Sequence, residues 1–376
     1  MNRRLLNVYN LGIKELRSLW RDKVMLLLIL WVFTGGIYTV SKAASQELHN
    51  APIAVVDHDR SVLSERIVQS FYGPYFLPAE RIDAAKEDAG LDAGRYIFVL
   101  DVPPDFEKDV LAGREPDVQV NIDATSMSQA FIGAGYIQNI VLGEVNAFVA
   151  GKRESADPVI ATEAHVKFNP NLISFWFGSV MELINNITML SIILTGAAVV
   201  REREYGTLEH LLVMPVDAIE IMLAKVWSMS LVVLAATAMS LELVVKGVLG
   251  VPVAGAVPLF LLGALLQLFA TSSIGIFLGT VARNMPQLGL IMILVILPLE
   301  LLSGGVTPRE SMPRAVQMVM EVAPTTHFVA LAQAILYRGA GFSIVWPRLL
   351  AILAISVGFF AAALSLFRKS LARSSG

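Results

Sequence analysis

Long apolar stretches constrain this chain more than any other feature. One runs without a charge from residue 24 to 40, and five more, with few charged residues, cover 177–200, 218–245, 258–281, 287–302 and 348–367. A helix that crosses a bilayer needs about 20 predominantly apolar residues. The 376-residue chain is 55% hydrophobic, and its mean hydropathy is +0.63, above what ordinary soluble domains show. The sequence therefore predicts a membrane protein with six spanning helices.

The first apolar stretch has two interpretations. It follows residues 5–20, which read as an amphipathic helix of the kind that lies in a membrane interface. A signal peptide is one interpretation, because Ser41-Lys42-Ala43 is similar to a cleavage site. The apolar run is longer than the usual core of a signal peptide, about 7–15 residues. We therefore favour a retained first span over 22–42, preceded by an interfacial helix over 1–21.

Residues 43–175 read as a polar α/β domain between the first two apolar stretches. Three strands are predicted over 52–57, 95–102 and 117–122. Asp59 or Ser61 is placed to cap the helix after the first strand. A short helix is expected over 106–111, and a long one from about 126 to 149. Strands that alternate with helices favour a small mixed sheet with helices packed on it.

The placement of lysine and arginine predicts the orientation. With a cytoplasmic N-terminus, that side holds Arg3, Arg4, Lys14, Arg17, Arg21, Lys23, Arg201, Arg203, Arg283, Arg368, Lys369 and Arg373. The opposite short loops hold mainly Lys246, Arg309, Arg314 and Arg338. This bias predicts a multi-pass protein with both termini in the cytoplasm; in a Gram-negative bacterium that membrane would be the inner membrane. Residues 43–175 then face the periplasm of a Gram-negative cell.

A short, densely charged insert follows the second apolar stretch. It reads Arg201-Glu202-Arg203-Glu204-Tyr205-Gly206-Thr207-Leu208-Glu209-His210-Leu211-Leu212-Val213-Met214-Pro215. Alternating arginine and glutamate cannot be buried without partners, so this segment is expected in water. The residues alone leave two interpretations open: a solvated loop of mixed charge, or a polar surface on which a soluble partner docks.

This insert resembles the cytoplasmic coupling helix of ABC-2 type transporter permeases. The Glu-Arg-Glu-x-Gly-Thr core at 202–207 is the most specific part of the likeness. Nearly the whole chain is similar to the YhhJ/YbhR-like group of that family. The resemblance implies an α-helical membrane protein of the ABC-2 (type V exporter) type, with six transmembrane helices. It also implies a periplasmic α/β domain inserted between the first two helices, and a transmembrane domain over 176–376.

The resemblance further implies how such a chain works. A separate cytoplasmic ATPase would dock on a coupling helix over 201–217 and on the N-terminal connecting helix. The residues assigned to this coupling are Arg201, Glu202, Arg203, Glu204, Gly206, Thr207, Glu209, His210, Leu211, Pro215, Lys14 and Glu15. The chain itself is expected to bind no cofactor, and ATP with Mg²⁺ belongs to the ATPase. Other expected partners are a second permease copy or a paralogue, a periplasmic adaptor protein and membrane lipid.

Polar residues inside the apolar stretches have competing interpretations. Glu182, Asn185 and Asn186 are spaced i, i+3, i+4 and share one helix face. Such a face points into protein or a water-filled cavity. We slightly favour hydrogen bonds between helices or at a dimer seam over the wall of a substrate path. Lys225 and Glu242 are expected to reach the membrane surface with their charged ends.

Residues 303–346 are punctuated by prolines and are expected to form short outer or re-entrant helices. They are similar to the short extracellular helices that help close the outer gate of ABC-2 permeases. The outer-gate candidates are Glu300, Gly304, Gly305, Pro324 and His327. Glu300 is explained more readily by its position near the outer end of a span than by a transport role, and a lone histidine is more often structural than a proton carrier.

Several function classes find no support in the sequence. It has no Walker A motif, no His-Glu-x-x-His and no Gly-x-Ser-x-Gly. It has no cysteine and five histidines, which are scattered. A net charge of −3 argues against a nucleic-acid surface. We predict no catalytic, cofactor-binding or metal-ligating residue, and the chain is not expected to be an enzyme.

The sequence therefore predicts the permease subunit of an ATP-binding cassette exporter. It would move a drug-like, amphipathic or lipid substrate outward with ATP hydrolysed by a separate subunit. One alternative is an ion-coupled secondary transporter, which would more often carry inverted repeats and charged groups near mid-membrane. The other is a non-transporting membrane scaffold or sensor with a periplasmic ligand-binding domain.

Overall fold

The computed structural model describes residues 3–43, 48, 50–123, 127–152, 174–206 and 216–374. The chain divides into two compact units. The helical unit comprises Met1–Ala44 and Phe175–Gly376, and the α/β unit comprises Ser45–Ser174. In chain order, the α/β unit is thus inserted after the first apolar helix of the helical unit.

The helical unit begins with two helices that meet at Asp22. Helix α1 covers Arg3–Arg21 and α2 covers Lys23–Trp31. A π-helical segment over Val32–Gly36 and helix α3 over Ile37–Ala43 follow without a break. Asp22 starts the second helix because its side chain accepts a hydrogen bond from the Met25 N–H, which satisfies a donor at the helix N-terminus.

The α/β unit alternates strands and helices. In order these are β1 (Ile53–Asp57), α4 (Val62–Gln69), β2 (Glu80–Arg81), α5 (Glu87–Asp92), β3 (Phe98–Val102), α6 (Phe106–Leu111), β4 (Gln119–Ile122) and α7 (Met127–Lys152). The strand order is β2-β1-β3-β4. Strand β1 pairs parallel with β2 and β3, and β3 pairs antiparallel with β4. The predicted mixed sheet is confirmed.

One strand of this sheet escaped the sequence prediction. Strand β2 has two residues, Glu80 and Arg81, and both are exposed. Neither an apolar run nor an alternating pattern can mark a strand so short. The three predicted strands have that pattern because their inward residues, such as Ile53, Val55 and Phe98, build the core of the unit.

Ser61, and not Asp59, caps helix α4. The Ser61 hydroxyl accepts from the Ser64 N–H at 3.1 Å. Asp59 instead accepts from the Glu107 N–H at 3.0 Å, at the start of α6. Both side chains thus serve helix N-termini, where free N–H groups need acceptors.

The remaining helices all belong to the helical unit. They are α8 (Ser174–Glu204), α9 (Ala218–Ser240) with a π-helical extension (Leu241–Val248), α10 (Val257–Val281), α11 (Met285–Leu301), α12 (Arg314–Met320), α13 (Pro324–Leu336) and α14 (Phe342–Ser374). Helices α12 and α13, in the stretch where short helices were expected, are bent by 86° relative to each other.

Five helices of the described residues are long and apolar enough to cross a membrane: Lys23–Lys42, Phe175–Glu204, Ala218–Val248, Val257–Val281 and Phe342–Ala372. The bent pair raises this number to six if it counts as one span. The stretch predicted as the fifth span, 287–302, corresponds to the 17-residue helix α11 and the residue that caps its end. Pro298 lies inside α11, where it removes one hydrogen bond to the preceding turn, and the helix ends at Leu301.

Helix α8 lies at the centre of the helical unit, with 83% of its apolar stretch buried. It packs closely on α10, where a Cβ added to Gly275 would lie 2.1 Å from Thr195 Oγ1. Ser191 Oγ donates to Thr271 Oγ1, and Gln267 Nε2 donates to Thr188 Oγ1 at 3.2 Å. These bonds satisfy polar groups that lipid would leave without partners.

Candidate functional site

Three helices bring charged side chains together at one end of the helical unit. Helix α1 presents a stripe that buries Gly12, Glu15 and Leu19. Helix α8 contributes its last turn, and α9 contributes its first two turns. Helix α1 is amphipathic, so its buried stripe packs on the neighbouring helices and its remaining faces stay exposed.

Lys225 lies at the centre of this group. Its side chain is 1% exposed. Its Nζ lies 2.9 Å from Glu15 Oε1 and 2.8 Å from Glu202 Oε2. Lys14 Nζ lies 3.0 Å from Glu202 Oε1, so two ammonium groups face two carboxylates. We call Lys14, Glu15, Glu202 and Lys225 the charge cluster.

The prediction that Lys225 reaches the membrane surface is wrong. Helix α1 lies over this part of α9, and its Glu15 neutralises the lysine in place. A charge this deeply buried is stable only when it is paired and hydrogen-bonded. The cluster therefore ties α1 and the end of α8 to α9.

Further charges at the end of α8 bind other elements. Arg201 Nη1 donates to Asp22 Oδ2 at 2.8 Å, at the junction of α1 and α2. Arg203 donates to the carbonyl oxygens of Thr280 and Ala282, at the end of α10. Glu204 Oε1 accepts from the Met285 N–H at 2.9 Å, at the start of α11. Successive residues of a helix point about 100° apart, so these side chains meet neighbours on several sides.

The expectation that this whole stretch is exposed to water is corrected accordingly. Glu15 and Glu202 are each 8% exposed, and their carboxylates face Lys225. They have no free surface to offer a soluble partner. Arg201 and Arg203 are half-buried, while Lys14 and Glu204 are exposed. The sequence pattern marked charges that need partners, and the fold supplies these partners within the chain.

Aromatic packing holds α1 on α9 beside the charge cluster. The rings of Tyr9 and Trp227 stack with centroids 6.2 Å apart. Trp227 Nε1 donates to the Val8 carbonyl at 3.1 Å. A Cβ added to Gly12 would lie 2.2 Å from the Trp227 ring, so only glycine lets the two helices approach this closely. Asn7 Nδ2 donates to Glu220 Oε2 at 3.2 Å.

The rest of the coupling segment is only partly described. Gly206 has a φ of +67° and follows Tyr205, which is 77% exposed. Thr207, Glu209, His210, Leu211 and Pro215 lie outside the described residues, as does most of the helix predicted over 201–217.

The intramembrane polar face supports contacts between helices. Asn186 is 2% exposed, and its Nδ2 donates to the Val32 carbonyl at 3.1 Å. Ser240 donates to the adjacent Phe33 carbonyl at 2.6 Å. Glu182 and Asn185 are half-buried. Asn186 thus links α8 to the π-helical segment, which is the helix–helix bond that we favoured.

The outer-gate candidates lie around the end of α11 and the start of α13. Glu300 is half-buried in the last turn of α11 and interacts electrostatically with Glu182. Gly304 has a φ of +93°, a conformation that favours glycine, and Gly305 packs against Met181. Pro324 begins α13. His327 Nε2 lies 2.9 Å from the Glu321 carbonyl oxygen, a local backbone contact.

Glu242 is exposed and pairs with Lys246 at 2.7 Å across one helical turn. No group of three or more His, Asp or Glu side chains suited to a metal ion occurs within the described ranges.

The sequence of the chain was compared with those of known proteins. Residues 23–365 match the family described as "ABC-2 family transporter protein". The chain belongs to the ABC-2 transporter family. The family expected from the charged insert is thereby confirmed.

Curated relatives extend the likeness over nearly the full length. The chain is 62% identical over 369 residues to "Inner membrane transport permease YhhJ" of Escherichia coli (strain K12), covering 98% of this chain and 99% of the relative. It is 27% identical over 363 residues to "Probable multidrug ABC transporter permease YbhR" of the same strain, covering 95% and 97%. It is also 27% identical over 343 residues to "Probable multidrug ABC transporter permease YbhS", covering 88% of each.

As an ABC-2 permease, this chain is a non-enzymatic, multi-pass membrane subunit for transport. Permeases of this family generally pair with an ATPase subunit.

Proposed function

We propose that this chain is the membrane-spanning subunit of an ATP-driven exporter, of the ABC-2 (type V) kind. A separate cytoplasmic ATPase, which holds ATP and Mg²⁺, docks on the segment over 201–217 and on α1. The chain moves a drug-like, amphipathic or lipid substrate outward. The names of the YbhR and YbhS relatives, which include "multidrug", support the drug-like class.

The charge cluster is the observation that carries this proposal. It joins α1, the end of α8 and the start of α9 through buried ion pairs of 2.8 to 3.0 Å. Tyr205 and Gly206 of the docking segment lie directly after α8. A displacement of that segment is therefore passed to three helices together, because a buried charge cannot leave its partners without a large loss of stability.

Direct contact with the ATPase falls to the exposed residues in this proposal. Lys14, Glu204 and Tyr205 are exposed, and Gly206, Thr207, Glu209, His210, Leu211 and Pro215 follow in the docking segment. Glu15 and Glu202 act from inside, where they hold α1 and α8 in position. Arg201 and Arg203 do the same through Asp22 and the end of α10.

Motion at this end would then reach the rest of the helical unit through α8, its central helix. Two copies of the chain, or one copy and a paralogue, form the pathway at their interface. Both termini lie in the cytoplasm, and the α/β unit lies in the periplasm, where it meets an adaptor protein or guides the substrate. The basic residues of α1 and the end of α8 support this orientation.

The test is co-purification of the ATPase with a tagged permease, followed by measurement of ATP hydrolysis with and without permease. We expect Glu204→Lys to lower both co-purification and stimulation while the helices stay folded. Glu242→Lys, an equal charge change at an exposed position in the π-helical extension of α9, is the matched control and should change neither.

Other outcomes would replace the proposal. Transport driven by an ion gradient without any ATPase would make the chain a secondary transporter. If the chain bound no ATPase and showed no transport activity, it would be a scaffold or sensor.

A further inference from the structure

The exposed side of α1 carries two features beyond its proposed contact with the ATPase. One is an apolar stripe, in which Leu5 is 63% exposed and Trp20 77%. The other is a basic edge along the same helix, formed by Lys14, Arg17 and Arg21. These basic residues are spaced i, i+3 and i+7, so they share one side of the helix.

The basic edge forms a shallow cleft of about 410 Å³, lined by Lys14, Arg17, Ser18 and Arg21. A second cleft of about 330 Å³ adjoins it and is lined by Ile13, Leu16, Arg17, Trp20 and Arg21. Arg17 and Arg21 belong to both clefts. One pair of arginines therefore borders both clefts, of which the one lined by Ile13, Leu16 and Trp20 is the more apolar.

These arginines differ from Lys14, Arg201 and Lys225 in having no carboxylate partner among the described residues. Lys14, Arg201 and Lys225 each face a carboxylate within 3.0 Å. Among the described residues, Arg17 and Arg21 face no carboxylate within ion-pair distance, and both are exposed. Two guanidinium groups one helical turn apart can hold the oxygens of one phosphate group through paired N–H donors.

The position of α1 along the chain indicates where a phosphate group bound by Arg17 and Arg21 would lie. Residue Asp22 separates Arg21 from Lys23, the first residue of a 20-residue apolar helix that is long enough to cross a membrane. Trp20 and Arg21 are therefore within one turn of the point where the chain enters lipid. Tryptophan is enriched at this depth of a bilayer, and an interfacial helix places its apolar stripe below the headgroups and its basic edge among them.

We propose that Arg17 and Arg21 form a binding site for the phosphate of an anionic phospholipid, with Trp20 and Leu16 contacting its acyl chains. The lipid would fix α1 at the membrane surface on its exposed side, while the charge cluster fixes it on its buried side. A free phosphate ion would use the same guanidinium groups but would gain nothing from the apolar cleft.

The test uses the purified full-length permease in an uncharged detergent. Bound lipids are counted by native mass spectrometry during titration with phosphatidylglycerol, and separately with phosphatidylcholine. We expect Arg17→Gln with Arg21→Gln to weaken phosphatidylglycerol binding about tenfold or more, since each basic residue near an anionic surface contributes measurably. Phosphatidylcholine binding should change little.

Two controls separate this site from general electrostatic attraction. Arg368→Gln with Lys369→Gln removes the same charge from exposed positions on α14 and should leave phosphatidylglycerol binding unchanged. Trp20→Ala keeps every charge and should still weaken it. Inorganic phosphate at the same concentration should not displace the lipid.

The proposal is overturned if the Arg17/Arg21 variant binds phosphatidylglycerol as tightly as the unchanged protein, or if both double variants lose it equally. Displacement by inorganic phosphate, or no effect of Trp20→Ala, would show an anion site without lipid recognition and would also overturn it. If lipid binding persists but co-purification of the ATPase is lost, the basic edge is a protein contact instead.

Discussion

Lys225 joins two glutamates from different helices in a part of the chain that reads as a plain membrane span. Its side chain is 1% exposed, and the charges of Glu15 and Glu202 are matched to it at ion-pair distance. A buried ion pair adds little net stability over a well-packed apolar group, but breaking it leaves an uncompensated charge. At the scale of single residues, the cluster therefore specifies which helices may be neighbours more than it strengthens the fold.

This asymmetry gives a prediction for Lys225→Met. The variant leaves two buried carboxylates with only the exposed Lys14 to neutralise them, so we expect the free energy of unfolding to fall by about 3–5 kcal/mol. The measurement is reversible unfolding of the purified protein in mixed micelles. Lys246→Met is the matched control, because Lys246 is exposed and its pair with Glu242 is worth about 0.3–0.5 kcal/mol.

Combining Lys225→Met with Glu15→Gln and Glu202→Gln should restore much of the lost stability, since no buried charge then lacks a partner. If Lys225→Met and Lys246→Met lowered the free energy of unfolding equally, the claim that Lys225 neutralises buried carboxylates would be wrong.

At the scale of elements, α1 behaves as a helix with two different sides. One side is packed on α9 through the Tyr9–Trp227 stack and the close approach at Gly12. The other exposes its apolar stripe and its basic edge. A helix with this pattern is stabilised mainly by what it packs against and not by its own propensity, so its position depends on the fit at Gly12.

Gly12→Leu should displace α1 from α9, because even a Cβ at this position would overlap the Trp227 ring. The chain has no cysteine, so a disulfide between Asn7→Cys and Glu220→Cys can report the contact. We expect it to form on oxidation in the otherwise unchanged protein and to be lost when Gly12→Leu is added.

Asn10→Leu, at an exposed position of the same helix, should leave that disulfide intact. Trp227→Ala should restore it in the Gly12→Leu background by making room. Undiminished disulfide formation with Gly12→Leu alone would show that α1 does not depend on this approach.

At the scale of the whole molecule, an α/β unit interrupts a helical unit after its first apolar helix. Charged side chains and exposed polar strands cannot lie in hydrocarbon, so the α/β unit must lie on one side of the membrane. The basic residues of α1 and the end of α8 predict that it lies opposite to them.

Single cysteines test this orientation. Asp88→Cys, at an exposed position of α5, should react with a membrane-impermeant thiol reagent in intact spheroplasts. Tyr205→Cys, at a position 77% exposed, should react only after the membrane is opened. The reverse pattern would overturn the orientation and the ATPase-docking proposal with it.

The sequence by itself determined the features that depend on local composition. Apolar length marks a spanning helix because crossing a bilayer is a matter of consecutive residues, and Lys23–Lys42 and Val257–Val281 lie close to the predicted stretches. Apolar runs likewise marked β1 and β3, and an alternation of apolar and polar residues marked β4. The two exposed residues of β2 carry no such pattern, and only their pairing with β1 makes them a strand.

Only the tertiary structure decided the partners of the charges. Glu202 meets Lys14 from 188 positions away, and Lys225 meets Glu15 from 210 positions away. A local pattern shows that such groups need neutralisation, but it contains no information on which helix will supply it. The same glutamate reads as a docking residue in the sequence and as a buried link in the fold, because burial is a property of the packed helices and not of the segment.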